Sequence, residues 1–189
     1  MLKSQFTEGN STESDPHGDW VEQMQNYTER ISLALDAAEV GAWDWDIAND
    51  QIQGSPYFKV LFGYSLEQDY LTYQDWAKRV HVEDLKSVEA LLHTCRSKGC
   101  NYKAEYRVVL PDGSLRWIRA CGRFQDDLTG QPARMTGMLW DISDQKLIGQ
   151  HLQESQEKFQ ATFEQAASGI ALVGLDGQWL EVNQKLCEI

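Results

Sequence analysis

Three runs in the second half of the chain alternate apolar with polar residues and are joined by turn signals alone, a pattern that only a sheet satisfies. Tyr102, Ala104, Tyr106, Val108 and Leu110 alternate with Lys103, Glu105 and Arg107. Pro111-Asp112-Gly113 then turns the chain back into Leu115 to Phe124. After a second turn over Asp126 to Gly130, Met135 to Ile142 forms the last strand. These strands are apolar on both faces, because Met135 and Leu139 oppose Met138, Trp140 and Ile142. An antiparallel sheet with one wet face does not need that. The outer face therefore calls for a cover, either the N-terminal helix or a second subunit.

Upstream, Trp43, Trp45 and Ile47 alternate with Ala42, Asp44 and Asp46 as a half-buried strand, and Asn49-Asp50 turns it into a short return strand over Gln51 to Gln53. Ser55-Pro56 starts a helix that ends at Gly63. Thr72 and Asp75 make a capping box for another through Trp76. Val82, Glu83 and Asp84 form the acidic first turn of a longer helix reaching about Arg96, with the stripe Leu85, Val88, Leu92 and Cys95. Two strands, short helices and three more antiparallel strands read as one α+β domain over residues 41–144.

Amphipathic helices flank it. Val21, Met24, Thr28, Ile31, Leu35 and Ala38 recur in steps of three and four, which predicts a helix over 20–40, behind a polar, disordered leader over 1–19. Ile148, Leu152, Phe159 and Phe163 mark a connector helix over 145–166, about 33 Å long. Its heptad spacing is weakened by Ser155 and Thr162. An offset of 128 then lays Leu35, Ala38, Gly41, Ile47, Ile52, Phe58 and Leu61 on Phe163, Ala166, Gly169, Leu175, Leu180, Leu186 and Ile189. Residues 167–189 read as the truncated start of a second such unit, and the chain as a piece of a longer protein.

Seventeen basic against 29 acidic residues leave a formal charge of −12, which argues against nucleic-acid binding and docking on anionic membranes. No apolar run approaches the roughly 20 residues of a membrane span, and the N-terminus lacks a signal-peptide core, so the expected location is cytoplasmic. Cys95, Cys100, Cys121 and Cys187 show neither a disulfide framework nor zinc spacing and are expected to be reduced thiols, Cys95 and Cys121 partly in the core.

Gly41-Ala-Trp43-Asp-Trp45-Asp46, Leu61-Phe-Gly63-Tyr64-Ser65 and Val80-His81-Val-Glu83-Asp84 are followed by Tyr106-Arg107-Val-Val-Leu-Pro-Asp112-Gly113-Ser-Leu-Arg-Trp117-Ile and Gly137-Met-Leu-Trp140-Asp141-Ile142-Ser143-Asp144. In that order, over residues 35–144, the chain resembles PAS domains of the PAS fold 3 subgroup with its C-terminal PAC motif, and the resemblance implies a five-stranded antiparallel sheet with short helices on one face. Val82 stands where that family usually has Pro, and Ser143 where Thr is common. Residues 163–189 resemble the start of a second PAS domain. The resemblance implies a sensory, dimerising module, usually upstream of a histidine kinase or a cyclic-di-GMP enzyme such as a diguanylate cyclase. A flavin photosensor of the LOV type would need a cysteine between Tyr64 and Val80, and there is none.

The candidate chemistry weighs toward the bland. His93 lies about 100° around the helix from Leu92, off the inward stripe, and reads as a surface residue rather than a haem ligand. His81 reads as a helix cap, Asp44 and Asp46 as a solvated face, and His151 as a helix-surface residue rather than a phosphoacceptor. No catalytic residue and no metal site is expected. Trp43, Trp45, Leu85, Val88, Leu92 and Tyr106 are the candidates for lining a ligand cavity of the kind family members hold between sheet and helices. Asp141, Ile142, Ser143 and Asp144 are expected to pass strain from the last strand to the connector. Val21, Met24, Ile31, Leu35, Ile148, Leu152 and Phe159 are expected at a homodimer interface. The leading reading is a non-catalytic signal-input module acting on a downstream domain of the same chain, with no cofactor. The alternatives are a sensor holding haem or another small molecule, and the input fragment of a histidine kinase.

Overall fold

In the computed structural model, residues 16–188 are described, and the expectation for the polar leader lies largely outside them, as do the Val21 side chain and Ile189. Helix α1 runs Pro16–Ala37, beginning four residues before the expected start. Strands β1 (Gly41–Asp46) and β2 (Gln51–Gly54) follow as a hairpin. Helix α2 (Pro56–Phe62) is capped by the Ser55 hydroxyl, which accepts from the Phe58 amide, and the Thr72–Asp75 capping box closes α3 (Tyr73–Arg79). Helix α4 spans Val82–Lys98, with His81 Nδ1 accepting from the Glu83 amide at 3.3 Å. Strands β3 (Tyr102–Val109), β4 (Leu115–Asp126) and β5 (Pro132–Asp141) complete the sheet. Helix α5 (Ser143–Glu164), a hairpin of β6 (Ala171–Val173) and β7 (Trp179–Val182), and a short α6 (Gln184–Cys187) end the described chain.

The strands are ordered β2-β1-β5-β4-β3, all antiparallel, so the first hairpin joins the later three through β1 and β5. Helices α2, α3 and α4 lie on one face, and Val88, Leu92 and Cys95 of α4 bury the stripe its spacing predicts. The corner between α4 and β3 is tied by Asp84. Its carboxylate accepts from the Arg107 amide at 2.8 Å and from the Arg107 guanidinium at 2.6 Å.

One of the two covers expected for the outer face is removed within this chain, and the expectation for the cysteines is corrected. The N-terminal helix does not cover the outer sheet face: between Gln23 and Ala38 only Ser32 and Leu35 are partly covered. Trp117 on that face is instead screened by Lys146 and Arg107, 4.8 Å and 5.7 Å from its ring centroid, while Met138 stays exposed. Cys95 and Cys100 are not separate thiols but a disulfide. Gly99, at φ 63°, closes α4 in the left-handed region, and the Gly99 and Cys100 amides both donate to the Cys95 carbonyl. That turn folds Cys100 back over Cys95, bringing the Cα atoms to 4.6 Å. Spacing alone does not reveal a reversal that depends on one residue's backbone hand.

The offset of 128 reappears as hydrogen bonding. The Ser55 hydroxyl accepts from the Ala42 and Phe58 amides at 3.0 and 3.3 Å. The Asn183 carbonyl oxygen accepts from the Ile170 and Leu186 amides at 2.8 and 3.0 Å. Each pair of partners differs by the same 128. Asn183 is fully buried and also donates to the Phe163 and Ser168 carbonyls, tying the end of α5 to the second hairpin. No helix among the described residues is long and apolar enough to cross a membrane.

Candidate functional site

Between the inner sheet face and α2–α4 lies a cavity of about 50 Å³. On the sheet side it is lined by Trp43, Trp45, Tyr102, Tyr106, Met135 and Leu139; Phe58, Tyr73, Trp76 and Leu92 face them. The Trp43 ring rests on the facing pair Gly122 and Gly137, where a Cβ on either glycine would collide with it. Trp45 stacks on Tyr73 at 5.6 Å and donates its indole N–H to Asp50 at 3.2 Å. The Trp76 indole donates to the Tyr106 hydroxyl at 3.3 Å. Tyr102, 3% exposed, has a buried hydroxyl with no hydrogen-bond partner among the described residues. Burial pushes the Tyr106 hydroxyl up to about 12 and the Tyr102 hydroxyl higher still, so both stay neutral donors at physiological pH. No charged side chain lines the space. It is an apolar chamber with a hydrogen-bond donor to spare.

Of the residues expected to line a cavity, Trp43, Trp45, Leu92 and Tyr106 do so. Val88 is buried elsewhere in the core, and Leu85 packs half-buried against it. The sequence reading passed over Tyr102, although it shares the strand face of Tyr106. It also passed over Phe58, Tyr73 and Trp76, which come from helices whose approach no local pattern reveals. Haem does not fit this chamber. The chamber is far smaller than a haem, and no histidine or cysteine lines it. His93 is exposed, at the edge of an open groove with Lys86 and Arg96. Asp44 is ion-paired with Arg134 at 2.6 Å, and Asp46 holds the amides of Ala48 and Asn49 in the turn. His151 is exposed on α5.

The residues expected to relay a signal meet at the end of β5. The Ile142 amide donates to the Trp117 carbonyl, and the Trp117 amide to the Ser143 hydroxyl, both at 2.9 Å. The Ser143 amide donates to the Asp141 carboxylate at 2.7 Å, while Asp144 is exposed in the first turn of α5. The sequence reading omitted Arg116. Its guanidinium pairs with Asp141 at 3.0 Å and donates to the Val60 and Leu61 carbonyls at the end of α2, at 2.9 and 2.8 Å. The helix carrying Phe58 into the cavity is thereby clamped to the start of α5. Of the residues expected at a dimer interface, Met24, Ile31, Ile148, Leu152 and Phe159 are exposed and Leu35 half-buried. Phe163 of the same stripe is buried.

The sequence profile of the PAS fold (PAS_3) matches residues 51–139. The chain is similar to the crystal structure of a sensory box histidine kinase/response regulator from Burkholderia thailandensis, at 31% identity and a TM-score of 0.60, over 70% of this chain and 98% of that one. It is also similar to the N-terminal domain of a diguanylate cyclase with PAS/PAC sensor from Marinobacter aquaeolei, at 25% identity and a TM-score of 0.52, over 57% of this chain and 98% of that one. A non-motile and phage-resistance protein of Caulobacter vibrioides is 24% identical over 158 residues, covering 82% of this chain but 18% of its own length. The chain thus spans under a fifth of that relative.

Proposed function

The chain belongs to the PAS family of sensory signal-input modules, and from that premise we propose that residues 41–144 register occupancy of the cavity under the sheet and pass it to α5. The observation that carries this reading is the shared use of β5 and Arg116. Met135 and Leu139 of β5 are cavity wall, and the strand continues through Asp141 into α5. Arg116 ties that junction to the end of α2. A ligand that moves Phe58 or Leu139 therefore pulls on both ends of one clamp. The neutral lining and the free Tyr102 hydroxyl select an uncharged molecule of a few heavy atoms with a hydrogen-bond acceptor. At a ceiling of about 1.5 kcal/mol per heavy atom, four atoms give about 6 kcal/mol, a Kd of about 40 μM.

On this reading α5 is a connector and residues 167–188 open a second PAS unit. The module dimerises through α1 and α5 and works in the cytoplasm on a downstream histidine kinase or diguanylate cyclase domain. This chain's own part is sensory rather than catalytic.

The test fills the cavity from within. Ala120, 1% exposed, lines it, and Ala120→Val occupies the space without a ligand. The amides of Lys146 to Gln150 are expected to change protection at least threefold, and Arg116→Gln in the same chain should cancel the change. An α5 start that ignores Ala120→Val overturns the relay. Acetone and acetate, equal in heavy atoms, test the ligand class: acetone alone should shift the Trp43 and Trp76 indole resonances, and equal shifts from acetate would refute a neutral site.

A further inference from the structure

Cys95 and Cys100 stand at the corner where α4 turns into β3, and their surroundings divide the work of thiol chemistry between them. Cys100 is exposed, whereas Cys95 is 1% exposed in the core. In a chain of net charge −12, the stretch from Ala90 to Ala104 contains Arg96, Lys98 and Lys103 and no acidic residue. Arg123 adds a further cation, donating to the Asn101 side chain at 3.2 Å. Neighbouring cations favour the thiolate, the form that reacts. The five-residue separation and the Gly99 turn hold the second sulfur beside the first, so an intramolecular bond outcompetes a lasting bond to any small thiol.

We propose that Cys95 and Cys100 are a reversible dithiol–disulfide modification site, oxidised by exchange with a low-molecular-weight disulfide such as oxidised glutathione. The Cys100 thiolate attacks one sulfur of the small disulfide, forming a mixed disulfide and expelling one thiolate. The Cys95 sulfur then attacks the Cys100 sulfur, and the second small thiolate leaves with the Cys95 proton. Two cysteine thiols and one small disulfide become one protein disulfide and two small thiols. The bond clamps the end of α4 to the start of β3. Leu92, one turn before Cys95, and Tyr102, two residues after Cys100, both line the cavity, so oxidation stiffens two of its walls. The site does not depend on the cavity having a ligand, and its test uses none.

The purified chain is equilibrated in glutathione buffers from fully reduced to fully oxidised, then alkylated and weighed intact. Cys95 and Cys100 are expected to lose reactivity together in one transition, with no glutathione added to either, and to regain it on return, whereas the exposed free thiol of Cys187 takes up glutathione as a mixed disulfide at the oxidised end. Cys95→Ser should leave Cys100 carrying glutathione, and Cys100→Ser should leave Cys95 unmodified. If either variant fails to fold, the wild-type titration decides alone. The amides of Tyr102 and Lys103 should exchange at least tenfold faster at the reduced end. Cys95 and Cys100 still alkylated in the oxidised buffer, a wild-type Cys100 holding glutathione, or a bond that does not reopen would overturn the proposal. Equal amide exchange at the two ends would overturn the clamp.

Discussion

At Tyr102 a hydroxyl has been carried under the sheet with no partner among the described residues, so it weighs against the fold by itself and would favour a ligand that accepts from it. An unpaired buried hydroxyl costs about 1–3 kcal/mol, so Tyr102→Phe should raise the denaturant midpoint of the ligand-free chain. The same substitution should weaken binding of a carbonyl probe such as acetone about tenfold, measured by titration of the indole resonances. Asp84 shows the reverse situation, a charge whose partners are complete. The Arg107 guanidinium bonded to it holds its carboxyl below the usual carboxylate range. A depressed folded-state pKa means that the unfolded chain takes up the proton first. The stabilisation is therefore present above the unfolded value of about 3.9 and is lost as pH falls through the lower folded value. Asp84→Asn should lower stability at pH 7 by about 1–3 kcal/mol and flatten that acid limb in melts compared at pH 7 and pH 3.

Among the elements, the Ser55 and Asn183 caps do the same work with different reach. Ser55 has one oxygen for two amides, and Ser55→Ala should cost about 1 kcal/mol and loosen the seam between α2 and β1. Asn183 also donates twice, to the Phe163 and Ser168 carbonyls, and is the fully buried polar residue of its hairpin. Asn183→Ala should therefore release residues 167–188 as a unit, seen as fast amide exchange there with Val108 still protected. Trp43 depends on its seat in the same way. A methyl group at Gly137 displaces the indole from the pair it lies across, so Gly137→Ala should destabilise the chain by about 1–3 kcal/mol and redden the tryptophan emission.

For the whole molecule, the question is what α5 does with its exposed stripe. Ile148 is 67% exposed, Leu152 59% and Phe159 49%, on a helix whose packing partners among the described residues are confined to its two ends. A parallel pairing of two copies would bury that stripe and present the following units in register. A dimer is expected at micromolar concentration, weakened by Leu152→Asp or Phe159→Asp while the far-ultraviolet spectrum is kept. Sedimentation showing a monomer at high concentration, or a dimer indifferent to both substitutions, would remove the proposal. The open outer sheet face, with Met138 49% exposed, marks a second surface that α1 leaves uncovered.

Caps, turns and alternation are properties of a few neighbouring residues, and these the sequence determined by itself. Ser55-Pro56, the Thr72–Asp75 box, Pro111-Asp112-Gly113 and the α4 stripe each specify an element without help from the rest of the chain. The family-like order of motifs was legible for the same reason. Tertiary structure decided what depends on distant segments meeting. Asp44 reaches Arg134 across 90 residues because β1 inserts beside β5, and Arg116 reaches Val60 across 56 because β4 passes the end of α2. Tyr102 has no hydrogen-bond partner among the described residues, an outcome its own strand pattern does not specify. The Cys95–Cys100 pair is close in sequence, yet it too required the backbone to turn left-handed at Gly99. Local rules fix which way a residue faces along its own element, and only the assembled chain settles what it faces.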